Sequence, residues 1–321
     1  MRVAPLLARL RVRLRPLLAV GAILALLTAL GGLVCRAVWF DLRAWSAPVT
    51  YAVTVPAAVW LLLLAGGLQW LRGGARTVAA ILGCALLLAV PWIRANHLAR
   101  ASAPGESRPV RLVVWNSAGP MTNWKTVFAC IRSHQPDVVA LVEAKPAGES
   151  FYRDLAEHMP GFHEVHSDKG LMMLSRQAVT RETNSARGGV MRTLRAVSSC
   201  RGRAVRILLV DISSNPLGNH RVDAVTRLLR EADEVPGPIL LAGDFNTPRE
   251  AASMAPLRAA MTHAFTQAGE GFDLTWPAPF PVMAIDHIWL RGWRAVSVRT
   301  DWTHASDHAM LVADLVPETT P

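Results

Sequence analysis

The densest chemistry in the chain lies at residues 240–248 (LLAGDFNTP), where an apolar run ends in Asp244 and Asn246. Two residues apart, these side chains project on one side of an extended turn. A carboxylate there can activate a nucleophile, and an amide can donate hydrogen bonds to an oxyanion. Two acid–histidine pairs follow, Asp286–His287 in AIDHIWL and Asp307–His308 in SDHAML. Strand neighbours point to opposite faces, so Asp286 and His287 cannot both enter one site. An inward Asp286 needs a partner, because an unpaired buried charge is expensive. The imidazole of His308 is the best candidate, giving an Asp–His hydrogen bond that orients and charges the ring. Asp307 precedes a predicted strand and could ligate a metal.

These residues need a scaffold, and the sequence from position 108 onward supplies one. Short apolar runs alternate with amphipathic ones. Residues 111–116, 137–143, 170–176, 190–197, 203–211, 239–244, 284–290 and 308–315 read as strands. Residues 124–134, 151–159, 221–232 and 250–261 read as helical, the first capped by Asn123 or Thr122. The pattern predicts a layered α/β domain. Four of the strands stop at a group able to bind a cation or a proton: Asn116, Glu143, Asp211 and Asp244. One such residue ordinarily marks where a strand meets water. Four, with two acid–histidine pairs, point to a site at the strand ends, where α/β folds bind ligands.

The first third is different in kind. Residues 17–35, 48–71 and 77–93 are uncharged apolar runs of the length that crosses a bilayer. Only RGGAR separates the last two, so they form a hairpin. The first run is too long for a cleaved signal peptide, and two more follow it. No acid, Lys or Arg lies within the runs, so no intramembrane ionisable site of a transporter is present. The arginines at positions 2, 9, 11, 13 and 15 put the N-terminus in the cytoplasm, and three spans then place the rest outside. Arg94, Arg100 and Arg108 run against that assignment. The expected organisation is an anchor over 1–98, a small, proline-bearing linker over 99–107 and a domain over 108–318.

Composition narrows the function. Half of the 321 residues are hydrophobic (51%) and 18% are charged, which excludes a disordered or coiled-coil protein. The net charge of +10 belongs to the first hundred residues, which hold 11 Arg and one acid. The remainder balances 23 basic against 23 acidic residues, which describes no basic DNA-binding face. Arg187, Arg192 and Arg195, or Arg201, Arg203 and Arg206, are either a solvated sheet face or a local phosphate-binding cluster. Trp276 and Trp293 are assigned to core packing rather than a cleft, and His158, His163 and His166 to an exposed loop. Four cysteines form no C-x-x-C pair, which excludes a zinc knuckle. Cys130 and Cys200 are either a disulfide or two buried thiols.

Taken in order, VVWN, PDVVALVE, GLMMLSR, GDFN, IDHIWL and SDH resemble the endonuclease/exonuclease/phosphatase superfamily, the DNase I-like fold, over residues 108–316. The N-terminal spans are similar to those of membrane-anchored bacterial members. The resemblance implies a four-layer α/β/β/α sandwich and Mg²⁺- or Mn²⁺-dependent hydrolysis of a phosphate ester. It further implies Glu143 as principal metal ligand with Asn116 and Asp307 nearby. Asp244 would orient or deprotonate the attacking water, its pKa depressed by the cation. Asn246 would hold a phosphoryl oxygen, and His308, oriented by Asp286, would stabilise developing negative charge. Many family nucleases carry a histidine where this chain has Asp211, and His220 nearby is expected only to solvate its loop. The expected substrate is therefore a phosphate ester, with nucleic acid not favoured and no protein partner predicted. A metal-dependent nuclease and a catalytically silent phosphate-binding module are the alternatives. The expected location is the bacterial inner membrane, with the catalytic domain extracytoplasmic.

Overall fold

In a computed structural model, residues 3–99, 108–119, 123–146, 148–187, 189–215 and 220–318 are described. The chain forms two compact units, Met1–Asn96 and His97–Pro321. The division falls after Asn96 rather than at 98, and residues 100–107 of the expected linker lie outside the described residues.

The first unit is helical: α1 (Val3–Val38), α2 (Ser46–Ala52), α3 (Val55–Arg72) and α4 (Ala75–Asn96). The apolar run expected over 48–71 is not one helix. Pro56 sits in the first turn of α3, where its missing N–H costs nothing, and the Thr54 hydroxyl accepts from Ala57 N at 3.3 Å. That cap divides α2 from α3. Gly73, with φ 92°, ends α3 in the left-handed region. Small residues let the helices approach, with Ala25, Ala29, Ala58, Ala65 and Ala85 in their shared core. Three helical stretches, Arg13–Val38, Val55–Arg72 and Ala75–Asn96, are long and apolar enough to cross a membrane. Large apolar side chains such as Leu17, Trp60 and Leu87 face outward.

The second unit begins with β1 (His97–Ala99) and β2 (Val110–Asn116), then α5 (Trp124–Ser133), β3 (Val138–Val142) and α6 (Gly148–His158). Next come β4 (His163–His166), β5 (Met172–Ser175), β6 (Val179–Arg187), β7 (Met191–Cys200), β8 (Arg203–Ile212), α7 (His220–Asp233) and β9 (Ile239–Asp244). The chain closes with α8 (Ala255–Ala260), β10 (Thr262–His263), α9 (Ala264–Ala268), β11 (Gly269–Phe272), β12 (Asp286–Arg291), β13 (Trp293–Asp301) and β14 (Met310–Pro317). The expected helix over 250–261 is shorter, a 3-10 turn at Ala252–Met254 and then α8. His158 closes α6, and His163 and His166 lie on β4 rather than in a loop.

Two mixed sheets result. The first runs β1-β11-β13-β14-β2-β3-β5-β4 and the second β10-β12-β9-β8-β7-β6. Their facing sides bury one apolar core, with Leu112, Val114, Val138 and Ala140 from the first sheet and Ile207, Leu209, Leu240 and Ala242 from the second. The alternate residues Val113, Trp115, Val139 and Leu141 point the other way and pack on Val127, Phe128 and Ile131 of α5 and Phe151 of α6. On the outer side of the second sheet α7 lies against β8. Strands buried on both faces read as unbroken apolar runs, which is why the sequence shows RLVVWN and ILLAGD rather than alternation. The layering is the four-layer α/β/β/α sandwich that the motifs imply. The four cysteines, all among the described residues, are free thiols, and Cys130 is only half-buried.

Candidate active site

Register assembles the site. Asp244 of β9 pairs with Asp211 on β8 and with Asp286 on β12, and Asp211 pairs in turn with Arg192 on β7. These four residues form one rung across four adjacent strands. Asp244 shares the parity of Leu240 and Ala242, Asp211 that of Ile207 and Leu209, and Asp286 that of Ile288 and Leu290, all facing the inter-sheet core. Three carboxylates therefore stand side by side where the sheets open.

The second sheet's acids meet Asn116 from the first. Asn116 Nδ2 donates to Asp244 Oδ2 at 3.0 Å and approaches Glu143 Oε1 at 3.4 Å, while its Oδ1 accepts from Ala118 N at 3.0 Å. Alternation would aim Glu143 away from the core, since Val142 points inward. Its φ of 55° breaks the alternation. That turn carries the carboxylate back toward Asn116. Gly243 supplies the other special backbone, with φ 132° and no room for a Cβ against the Val210 carbonyl. After it, Asn246 sits at φ 47°, its N–H donating to Asp244 Oδ1 at 2.8 Å and its Nδ2 to Ile212 O at 2.9 Å.

Asp286 Oδ2 accepts from His308 Nδ1 at 2.8 Å, and the His308 backbone is fixed by Trp115 Nε1 donating to its carbonyl at 2.9 Å. His287, on the opposite face, donates from Nε2 to Thr247 O at 2.9 Å and accepts at Nδ1 from His263 Nε2 at 3.2 Å. Burial holds His287 down, to about 4, so it stays neutral and supports the turn that carries Asn246. Asp307 is exposed at the mouth, and its Oδ2 accepts from Trp276 Nε1 at 3.1 Å.

The pocket of about 320 Å³ is lined by Glu143, Arg192, Asp211, Asp244, Asn246, Asp307 and His308, among others. Asn116 and Asp286 stand behind this wall, hydrogen-bonded to Asp244 and His308. Ser213, Ser214 and Trp276 also line it, so Trp276 is a wall of the cleft and not a core residue, whereas Trp293 is buried in the core. Of the arginines noted in the sequence, Arg192 reaches the site. Arg195 and Arg206 pair with Glu182, and Arg201 with Asp137. Ser213 and Ser214 directly follow β8, so the strand-end rule that found Asp211 could have found them. In the sequence Arg192 reads as one of a cluster that could bind phosphate and Trp276 as core, but register and loop path, which local sequence does not set, bring both to the pocket. His220 opens α7, with Nε2 3.3 Å from Ser213 O.

Electrostatics sorts these groups. Burial and the adjacent Asp286 push the Asp244 carboxyl well above the ordinary carboxylate range, against His308 and the Asn246 N–H. The protein alone thus raises Asp244, opposite to the depressed pKa expected beside a cation. Burial likewise lifts Asp211 to about 6 against the pull of Arg192, whose Nη1 donates to Asp211 Oδ2 at 2.8 Å. Burial alone would lower His308, but the charge and hydrogen bond of Asp286, with Asp244 and Asp307, raise it to about 9.

Two groupings could hold a cation. Ligand atoms of Asp244, Asp286 and His308 lie within 4.8 Å of one another. An imidazole must be neutral to bind a metal, and His308 keeps its proton at neutral pH. That cluster is an acid–imidazolium network. Glu143 and Asp307 offer carboxylate oxygens at the mouth, with Asn116 behind Glu143, the chemistry a hard divalent cation prefers. The pocket sets four carboxylates against Arg192 and His308, a lining that would repel an anion. A divalent cation fits this donor set and would reverse the repulsion.

The family model described as Endonuclease/Exonuclease/phosphatase family matches residues 113–308. Among curated proteins, YbhP of Escherichia coli K12 is 32% identical over 130 residues, covering 38% of this chain and 50% of that protein. The chain thus spans about half the length of the curated relatives it matches. Among solved structures, a humanised D. rerio TDP2 shares the fold with TM-score 0.53 and 17% identity, covering 65% of this chain and all of the other. An endonuclease/exonuclease/phosphatase from Bacteroides vulgatus does so with TM-score 0.51 and 17% identity, covering 66% and 100%. Members of this family are mostly hydrolases of phosphate esters and generally use divalent metal ions. A two-sheet sandwich with its acids gathered at one opening, and a family model matched from the second strand to His308, lead to one conclusion: the chain belongs to the endonuclease/exonuclease/phosphatase family.

Proposed function

We propose that this protein is a membrane-anchored, Mg²⁺- or Mn²⁺-dependent hydrolase of phosphate esters. The observation that carries the reading is the rung Asp211–Asp244–Asp286, closed by His308 on one side and by Asn116 and Glu143 on the other. Glu143, Asn116 and Asp307 would hold the metal. When bound, such a cation neutralises phosphoryl oxygens and stabilises the departing oxygen.

The chain's own groups do the rest. Asp244, tied to Asn116 and the Asn246 N–H, is held to accept a proton from the attacking water. The water oxygen bonds to phosphorus, one P–O ester bond breaks, and the leaving alcohol takes up a proton. Asn246 Nδ2 keeps one hydrogen beyond that given to Ile212 O, for a phosphoryl oxygen. His308 Nδ1 is committed to Asp286, which leaves Nε2–H for the negative charge that builds on phosphorus. Asp211, beside Arg192, stands where it can give a proton to the leaving group, because its raised pKa keeps part of it protonated near pH 6. The three apolar helices serve as the anchor, and the arginine distribution supports an extracytoplasmic catalytic unit in a bacterial inner membrane.

Detergent-purified protein is assayed on bis-p-nitrophenyl phosphate and p-nitrophenyl phosphate with Mg²⁺ or Mn²⁺. Turnover should stop with EDTA and in Glu143→Ala and Asp244→Ala. Turnover that survives either variant, or never depends on metal, overturns the reading.

A further inference from the structure

One segment of the catalytic unit is out of keeping with a soluble surface. Residues 276–283 read WPAPFPVM, eight consecutive apolar residues. The segment leaves the fold as a pinned excursion, with Trp276 and Met283 bridged at its base and Met283 N donating to Trp276 O at 2.9 Å. Phe280, at its tip, is 82% exposed. Pro277, Pro279 and Pro281 restrict the chain on both sides of it. A stiff loop loses little entropy when its tip is buried elsewhere, so the exposure is poised rather than slack.

The loop stands on the active-site mouth. Trp276 lines the pocket and donates to Asp307 Oδ2, and Ala278 N donates to Asp307 O at 2.7 Å. The β13–β14 loop that carries Asp307 also presents Trp302, 37% exposed and packed edge-on against His304. Among the described residues that line it, the pocket is mostly polar, with Met191 and Trp276 as the large apolar side chains. Its volume of about 320 Å³ suits a phosphate and a small head group, while the 276–283 side of its rim is apolar.

We propose that residues 276–283 and Trp302 seat the pocket mouth against a bilayer, and that the substrate is a phosphate ester of a membrane lipid. This rests on the hydrolase reading above. The occupant of the apolar rim is the membrane that the chain's own helices enter. Unit two begins at His97, directly after the third apolar helix ends at Asn96, so the chain itself ties the catalytic unit to the helices that would enter that membrane. Phe and Trp at the interface gain from burial in the acyl boundary and tolerate the head-group layer. The lipid's chains stay in the bilayer, its phosphate enters the pocket, and the reaction is the hydrolysis already written.

The test uses the full chain reconstituted in vesicles of phosphatidylethanolamine and phosphatidylglycerol. Cys84→Ser and Cys130→Ser provide the background for a spin label at Phe280→Cys or, as control, at Tyr152→Cys on α6. Oxygen and a water-soluble nickel chelate report label depth. The label at 280 should be oxygen-rich and shielded from nickel, and that at 152 aqueous. Lipid hydrolysis, followed by mass spectrometry, should fall about tenfold in Phe280→Ser, with bis-p-nitrophenyl phosphate turnover unchanged. A label at 280 as water-accessible as at 152, equal losses on both esters, or no product from either lipid overturns the inference. Absence of soluble-ester turnover in the wild-type chain strikes instead at the hydrolase reading, and the label depth still decides whether the loop meets the bilayer.

Discussion

Replacing Asp286 by Asn tests the heart of the electrostatic design. The substitution keeps the size and a hydrogen-bond acceptor for His308 Nδ1 but removes the charge. His308 stands at about 9 against an ordinary value of 6.5. The difference is worth about 3 kcal/mol of preference for the imidazolium, supplied chiefly by Asp286 against the cost of burial. Without that charge, burial dominates, and His308 should titrate about two pH units lower or more. At pH 8 the imidazolium fraction then falls roughly tenfold or more, from about 90 per cent to about 10 per cent or less. The assay is a ¹⁵N-histidine NMR titration of the metal-free protein in detergent, paired with the pH profile of kcat/KM. The alkaline limb should move down with the NMR midpoint, and activity should be retained best near pH 6. A His308 midpoint unmoved by Asp286→Asn would refute the reasoning, because the pair would then not control the ring's charge.

Other consequences follow from the same geometry. A group whose folded pKa is raised stabilises the fold at low pH, so the His308 contribution is full below 6.5 and lost as pH rises through about 9. Asp211, raised to about 6, acts in the same direction at lower pH. The Tm of metal-free protein should therefore fall between pH 6 and 9.5 through His308, and a rising Tm there would contradict that assignment; the Asp211 part falls between about pH 4 and 6. Gly243→Ala forces a methyl group against the Val210 carbonyl at φ 132°, at a cost of about 3 kcal/mol or more. The Tm of the catalytic unit should drop by roughly 6–12 °C, and an unchanged Tm would show that the strand relaxes freely. Arg192→Met should raise KM for bis-p-nitrophenyl phosphate about tenfold with kcat little changed, if the guanidinium holds ground-state phosphate. A fall in kcat alone would place it on the transition state instead.

The strand ends were legible because apolar runs that stop at Asn116, Asp211 and Asp244 are visible without coordinates. Glu143 was legible as a strand-end acid, but its direction was not. Alternation turns it away from the site, and only a left-handed φ at that residue returns it. The rung Arg192–Asp211–Asp244–Asp286 depends on register, which long-range pairing sets and local sequence does not. β6 (VTRETNSAR) escaped notice because an edge strand carries few apolar residues to reveal it. The run over 48–71 was apolar throughout, so hydropathy joined α2 and α3, and the break lay in backbone chemistry at Thr54 and Pro56. Trp276 looked like core because an apolar residue in an apolar stretch ordinarily is; its loop instead projects at the pocket mouth.

Binding of Mn²⁺ to the metal-free chain, followed by electron paramagnetic resonance, tests most directly whether carboxylates from both sheets gather a cation at this opening. One tight ion per chain is expected in the wild type. It should be lost in Glu143→Ala and kept in Tyr152→Ala, which lies outside the pocket. Equal Mn²⁺ binding by wild type and Glu143→Ala would contradict the account.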